Sequence, residues 1–324
     1  MKKEEVLELF LKKGVSLTPR ALEILSSDEN VLRETVEKIE KEKPLVVDVN
    51  FIPRKSSLKI LKKTEKKEKT LATPDVLRKL VERYKFLHKI LSRKTELVNL
   101  VSIRKIGALR RFSVIGMVRD VEGNEVTLED LTGDVRINLK TNTRLIEDEV
   151  VGVVCQRKGD EIIGTRIVWP DVPLLREKKK PKLTIFIGKP KKKTEGYFFS
   201  FINGKIFFNE KEISEDLVFV DLLGSKILFI TKELMEEIKK QEGETETRSV
   251  LINILKRRHV FPKFSLKMIK NEDVFRIDEI PDFIITETNT TNVWSYKGVV
   301  LVCYRDGSCL RIDLEKGEVI SLDR

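Results

Sequence analysis

Residues 280 to 290 read IPDFIITETNT, a short apolar run that opens into Thr286, Glu287, Thr288, Asn289 and Thr290. Many α/β enzymes present their metal ligands at strand-to-loop junctions of this kind. Three readings are open: a working site, a capped loop end, or a site that has lost its ligands. The histidine count bears on the choice. The chain has two imidazoles, His88 and His259, far apart in sequence and too few for a binuclear hydrolytic centre built on histidine. Cys155, Cys303 and Cys309 show no CxxC spacing, which argues against structural zinc and against a disulfide framework. Neither a phosphate-binding GxxxxGK(S/T) nor a nucleophile-elbow GxSxG occurs. Glu129 and Asp130 in LEDLTG are neighbouring carboxylates of the kind used in acid–base work. Their place at a strand end running into a turn favours an Asp that bonds the backbone.

The elements that would position these groups belong to a basic chain of 324 residues, enough for two or three domains. With 63 Lys and Arg against 52 Asp and Glu, the formal net charge is +11. Such an excess attracts polyanions: nucleic acid first, an acidic partner or a membrane surface second. No apolar run approaches the roughly 20 residues of a membrane span, and no signal peptide is visible. The cysteine usage fits a reducing cytosol, so a cytoplasmic protein without membrane contact is expected.

Hydrophobic periodicity divides the chain into a multidomain α+β arrangement. Residues 1–43 read as a helical domain, with Val6, Leu7, Leu9, Phe10 and Leu11 giving an apolar face and Thr18–Pro19 marking a helix start. Residues 44–74 read as a basic flexible linker, although LVVDVNFI within it has the composition of one strand. Residues 75–175 hold a helix with a stripe at Leu77, Leu80, Val81, Tyr84, Leu87 and Leu91, then short strands with turns at Gly123-Asn124, Gly133-Asp134 and Lys158-Gly159-Asp160. That order suits an oligonucleotide-binding (OB-fold) β-barrel. A second linker at residues 176–182, REKKKPK, leads into residues 183–324, a mixed α/β region.

The stretch FSVIGMVRDVEGNEVTLEDLTGDVRINL, with EDEVVGV and PDVP beyond it, resembles the barrel of the small subunit of archaeal family D DNA polymerase. YFFSFING, ILKRRHVFPKF and IDEIPDFIITETNT are similar to landmarks of that subunit's calcineurin-like metallophosphoesterase domain. The resemblance implies a reduced domain of that type at residues 183–324. Laid on the family's metal motifs, Lys189 and Lys191 stand where Asp and His would be, Ile230 falls at a His-Gly turn, and Thr288 and Thr290 replace two imidazoles. Threonine hydroxyls and protonated lysines are poor ligands for divalent transition metals. The resemblance therefore implies an inactivated phosphoesterase, no metal and no cofactor.

What remains is a non-catalytic accessory subunit, expected to dock the catalytic large subunit of a DNA polymerase, to assist DNA binding and to associate with the nucleoid. The competing expectation is a stand-alone nucleic-acid-binding barrel protein. Candidate nucleic-acid contacts are Arg110, Arg111, Phe112, Arg119 and Arg136 on the barrel and Arg257 and Arg258 in KRRH, the last two suited equally to phosphate or to ion pairs with a partner. His259 matches a family landmark outside the ligand set and is expected to orient a helix end.

Overall fold

The apolar spacing at the N-terminus folds as helices. α1 (Lys3–Lys12) buries Val6 and Phe10, while Leu7 and Leu11 of the expected face stay exposed. α2 (Pro19–Ser27) starts where Thr18 and Pro19 place it: Thr18 Oγ1 accepts the Ala21 amide at 3.3 Å. α3 (Glu29–Glu42) buries Val31, Leu32 and Ile39. LVVDVNFI does not make one long strand; β1 (Ser16–Leu17) pairs in parallel with β2 (Val46–Val47) alone. The segment read as a linker carries β3 (Leu58–Thr64), a paired strand. This computed structural model describes all residues except 1–2, 28, 50, 53–57, 65–72, 142, 190–195, 264–272 and 323–324.

The chain forms two compact units, one of Met1–Glu65, Leu175–Leu234 and Pro281–Arg324, the other of Lys66–Leu174 and Met235–Ile280. Packing thus groups residues 235–280 with the barrel, and the N-terminal helices with the C-terminal sheet.

In the barrel-bearing unit, α4 (Thr73–Leu91) buries Tyr84, Leu87 and Leu91, but Leu77 is 63% exposed. Lys79 and Arg83 take buried places along the same helix. Five strands follow: β4 (Arg111–Glu122), β5 (Glu125–Asp130), β6 (Gly133–Leu139), β7 (Val150–Lys158) and β8 (Glu161–Val168). They close in the order β4-β5-β6-β8-β7, the small barrel that the turn spacing predicts. Its core holds Phe112, Val114, Val126, Leu128, Ile137 and Val153. Gly116 allows close contact of β4 and β5, because a Cβ there would lie 2.7 Å from Leu128 Cβ. The turn after β5 falls at Leu131-Thr132 and not at Gly133-Asp134. Asp130 fixes it: Oδ1 accepts the amides of Thr132 at 2.6 Å and Gly133 at 3.1 Å, and Oδ2 that of Ile103 at 2.8 Å. The backbone-bonding reading of that carboxylate holds. Tyr84, Leu87 and Leu91 of α4 share a second cluster with Leu97, Ile115 and Val150. The later helices α5 (Lys232–Glu242) and α6 (Thr247–Arg257) bury Met235, Ile238, Val250, Leu251, Ile254 and Leu255.

The other unit is built on a mixed sheet. Its strands are β9 (Thr184–Ile187), β10 (Tyr197–Ile202), β11 (Lys205–Phe208), β12 (Lys211–Leu222), β13 (Ser225–Ile230), β14 (Phe283–Thr288), β15 (Asn292–Tyr296), β16 (Val299–Arg305), β17 (Leu310–Asp313) and β18 (Glu318–Ser321). The order is β15-β16-β14-β13-β12-β11-β10-β9-β17-β18, with β3 also paired to β12. β13, β14 and β16 are mutually parallel, as are β9 and β10. One apolar core joins Val6, Phe10 and Leu25 of the helices to Phe199, Phe229 and Ile285 of the sheet. The helical segment is therefore part of this unit's core.

Candidate functional site

The polar end of β14 is the first place the sequence points to. Thr288 Oγ1 donates to the Thr290 carbonyl at 2.6 Å, and Thr290 Oγ1 accepts from Asn292 Nδ2 at 3.0 Å. Both hydroxyls thus serve the loop's own geometry. Ile230, opposite Thr286 in the parallel register of β13 and β14, is fully buried. Lys189 follows β9, which four strands separate from β14 in the sheet order, and its side chain is exposed. Lys191 lies outside the described residues. The cation that does reach this loop is Lys232, whose Nζ donates to Asn289 Oδ1 at 2.8 Å. Burial, then the nearby Glu233 and Asp306 carboxylates, push the Glu287 carboxyl up. Among the described residues, no group of three His, Cys, Asp or Glu side chains could hold a metal ion.

The barrel residues do not converge. Arg110 and Arg111 are exposed at the start of β4. Arg119 lies eight residues beyond Arg111 on the same strand, which is up to about 26 Å in extended chain. It pairs with Glu129 at 3.3 Å, and Arg136 pairs with Glu125 at 3.6 Å, all on the surface. Such exposed pairs contribute little to stability and exchange readily for phosphate. Phe112 is 1% exposed inside the barrel core, so its ring offers no face to a base.

Arg257 and Arg258 are also buried, which removes them from direct phosphate contact. Arg257 Nε donates to Glu149 Oε2 at 2.7 Å, and Nη1 donates to Glu242. Burial pushes both carboxyls up against the pull of Arg257. Arg258, in the left-handed conformation at the end of α6, donates to the carbonyls of Ile277 at 3.0 Å and Asp278 at 2.7 Å. Arg257 thus makes its ion pairs within the chain, where the sequence reading expected phosphate or a partner.

His259 belongs to a second buried network. Its Nδ1 accepts the Phe261 amide at 3.2 Å, so the ring proton sits on Nε2, which faces both Asp273 oxygens at 3.0 Å. Arg83 Nε donates to Asp273 Oδ2 at 2.8 Å, and its Nη1 reaches the carbonyls of Pro262, at 2.6 Å, and Asp148, at 3.2 Å. Burial alone would raise the Asp273 carboxyl; His259 and Arg83 outweigh it and hold it below the usual range. Here the ring orders the backbone beyond α6, as expected of a residue outside the ligand set. Sequence reading missed Arg83, Asp273, Glu149 and Glu242. The available signal was a charge at position 83, three residues after Leu80 and four before Leu87 of the apolar stripe.

No helix among the described residues is long and apolar enough to cross a membrane. No family model matches the chain. It is 30% identical over 128 residues to the DNA polymerase II small subunit of Methanothermobacter thermautotrophicus, a match covering 35% of this chain and 27% of that one. It is 36% identical over 103 residues to the DNA polymerase II small subunit of Archaeoglobus fulgidus, covering 28% of this chain and 21% of that one. The matches thus span about a quarter of those relatives' length. Among solved structures, a full-length MCM homolog from Methanopyrus kandleri aligns over 54% of this chain and 38% of its own at 13% identity, with a TM-score of 0.20. Telomere capping protein Ten1 from Saccharomyces pombe aligns over 21% and 77% at 16% identity, also with a TM-score of 0.20.

Proposed function

We propose that this chain is a non-catalytic accessory subunit of an archaeal replicative DNA polymerase, a scaffold that docks the catalytic large subunit and helps to guide DNA at the nucleoid. The similarity to two DNA polymerase II small subunits carries this reading. The five-stranded barrel is taken as the oligonucleotide-binding type, and the mixed sheet as the remnant of a metallophosphoesterase-like domain. Its inactivity rests on chemistry: a threonine hydroxyl committed to a neighbouring carbonyl supplies neither a metal ligand nor an activated water. The stand-alone nucleic-acid binder is supported by the exposed Arg110 and Arg111 and weakened by the burial of Phe112.

Co-expression with the large subunit of an archaeal family D polymerase tests the choice. Joint elution in size exclusion at high salt is expected. Separate elution, with the small chain carrying only salt-labile nucleic acid, would overturn the subunit reading and favour the binder.

A further inference from the structure

A cavity of about 260 Å³ opens within the barrel-bearing unit. Thr143 and Arg144, between β6 and β7, line one side; Trp169, just beyond β8, forms part of the wall with Asn253 and Lys256 of α6. Glu242, Glu244 and Arg257 also reach it, but their charges are engaged. Glu242 takes Arg257 and, at 2.8 Å, Asn253, while Arg257 is shared with Glu149. Glu244 Oε1 accepts the amides of Thr245 at 2.8 Å and Glu246 at 3.0 Å, ahead of α6.

Two cations are left over. Among the described residues, no ion pair holds Arg144 or Lys256. The Arg144 guanidinium rests against Gly243, where a Cβ would overlap it and where a φ of +61° also favours glycine. Lys256 Nζ stands 5.9 Å from the Trp169 ring centroid. The Trp169 side chain packs against the barrel core. An indole held there beside two unpaired cations is a stacking surface with phosphate partners. The remaining oxygens of Asn253 and Glu244, with the Thr143 hydroxyl, offer polar partners for a base edge.

We propose that this cavity binds one nucleotide of single-stranded DNA, with its base on Trp169 and its phosphate between Arg144 and Lys256. The proposal rests on the DNA-guiding part of the reading above and gives it a location. With Trp294→Phe as background, Trp169 is the single indole, since the chain has two tryptophans. Titrating this full-length variant with a short oligothymidylate is expected to quench its fluorescence. Adding Arg144→Ala and Lys256→Ala should weaken binding about tenfold and reduce the log–log salt slope by about 0.7, for one phosphate no longer neutralised. Gly243→Ala, checked for folding by circular dichroism, should reproduce the effect of Arg144→Ala. Absence of quenching, or an unchanged salt slope in the double variant, would overturn the proposal. So would inorganic phosphate quenching as strongly as oligothymidylate, because the site would then be a simple oxyanion pocket. Failure here with the large subunit still co-eluting removes the cavity and leaves the subunit reading. Quenching without co-elution does the reverse.

Discussion

Asp273 holds Arg83 and His259 on one buried carboxylate, and its removal would strand the Arg83 guanidinium, which is 1% exposed. Asp273→Ala should therefore cost about 3–5 kcal/mol, the range for breaking a buried pair from one side. Urea denaturation measures it, and a loss under about 1 kcal/mol would mean that Arg83 finds other partners. The same group sets an acid limit. Its folded pKa lies below the unfolded value of about 3.9, so its contribution is present above that pH and fades as the pH falls toward the folded value. Glu149 and Glu242 act in the opposite sense. Their folded pKa values lie above the unfolded value of about 4.3, so the folded state binds more protons and loses stability as pH rises through that window. Glu242→Gln keeps an acceptor for Arg257 and removes one titrating carboxyl. Melting temperatures should thus favour the variant increasingly from pH 4 toward neutrality, and a pH-independent difference would contradict the coupling. Cys155 has a plainer consequence. Burial pushes its thiol up to about 12, and Cys303 and Cys309 are also buried. Ellman's reagent should find no fast-reacting thiol in the native chain and all three cysteines after denaturation.

At the scale of elements, β3 shows how a strand can be disguised by its composition. Lys59, Lys62 and Lys63 within seven residues suggest a solvated linker, yet Leu58 packs against the sheet core and Thr64 pins the strand to β12. Thr64 Oγ1 accepts the Leu217 amide at 3.0 Å, and Ser214 Oγ donates to the Thr64 carbonyl at 3.0 Å, beside an irregularity in the β12 register. Thr64→Val leaves that buried amide without its acceptor and should cost about 1–3 kcal/mol. Equilibrium unfolding would show it; a neutral substitution would mean that β3 adds nothing to the sheet. The barrel strands were legible because β5 and β6 alternate in burial, because β4 and β7 carry short continuous apolar runs, and because Gly123 and Gly159 sit in turns with positive φ. The stripe of α4 was legible only in its C-terminal half, where Tyr84, Leu87 and Leu91 meet the barrel. Glu149 and Arg257 are 108 residues apart in sequence. No local pattern marks such a pair, so the ionic core had to be seen in three dimensions. The polar run after β14 was legible as a strand end, and its hydroxyl contacts decide that it caps its own loop.

For the whole molecule, the question is whether the chain, taken under the proposal above as the remnant of a hydrolase, has any hydrolytic activity. Two-metal phosphodiester cleavage needs ligands from several strand ends converging on one cavity, with a metal-bound water delivered in line. Ile230 is buried at the end of β13, Thr288 and Thr290 are engaged within one loop, and Lys189 follows a strand elsewhere in the sheet. Restoring two imidazoles would supply donors without the Asp and bridging carboxylate that hold a metal pair. We therefore expect the native protein, and equally a Thr288→His, Thr290→His double variant, to show no manganese-dependent release of nitrophenol from bis(p-nitrophenyl) phosphate above the protein-free rate. Hydrolysis that requires manganese, is abolished by a chelator and co-elutes with the chain would sink the accessory reading at its root. A variant that gains activity while the native chain lacks it would be equally informative. It would mean that the remaining ligands still converge, and that the loss of function is confined to two side chains and does not extend through the sheet.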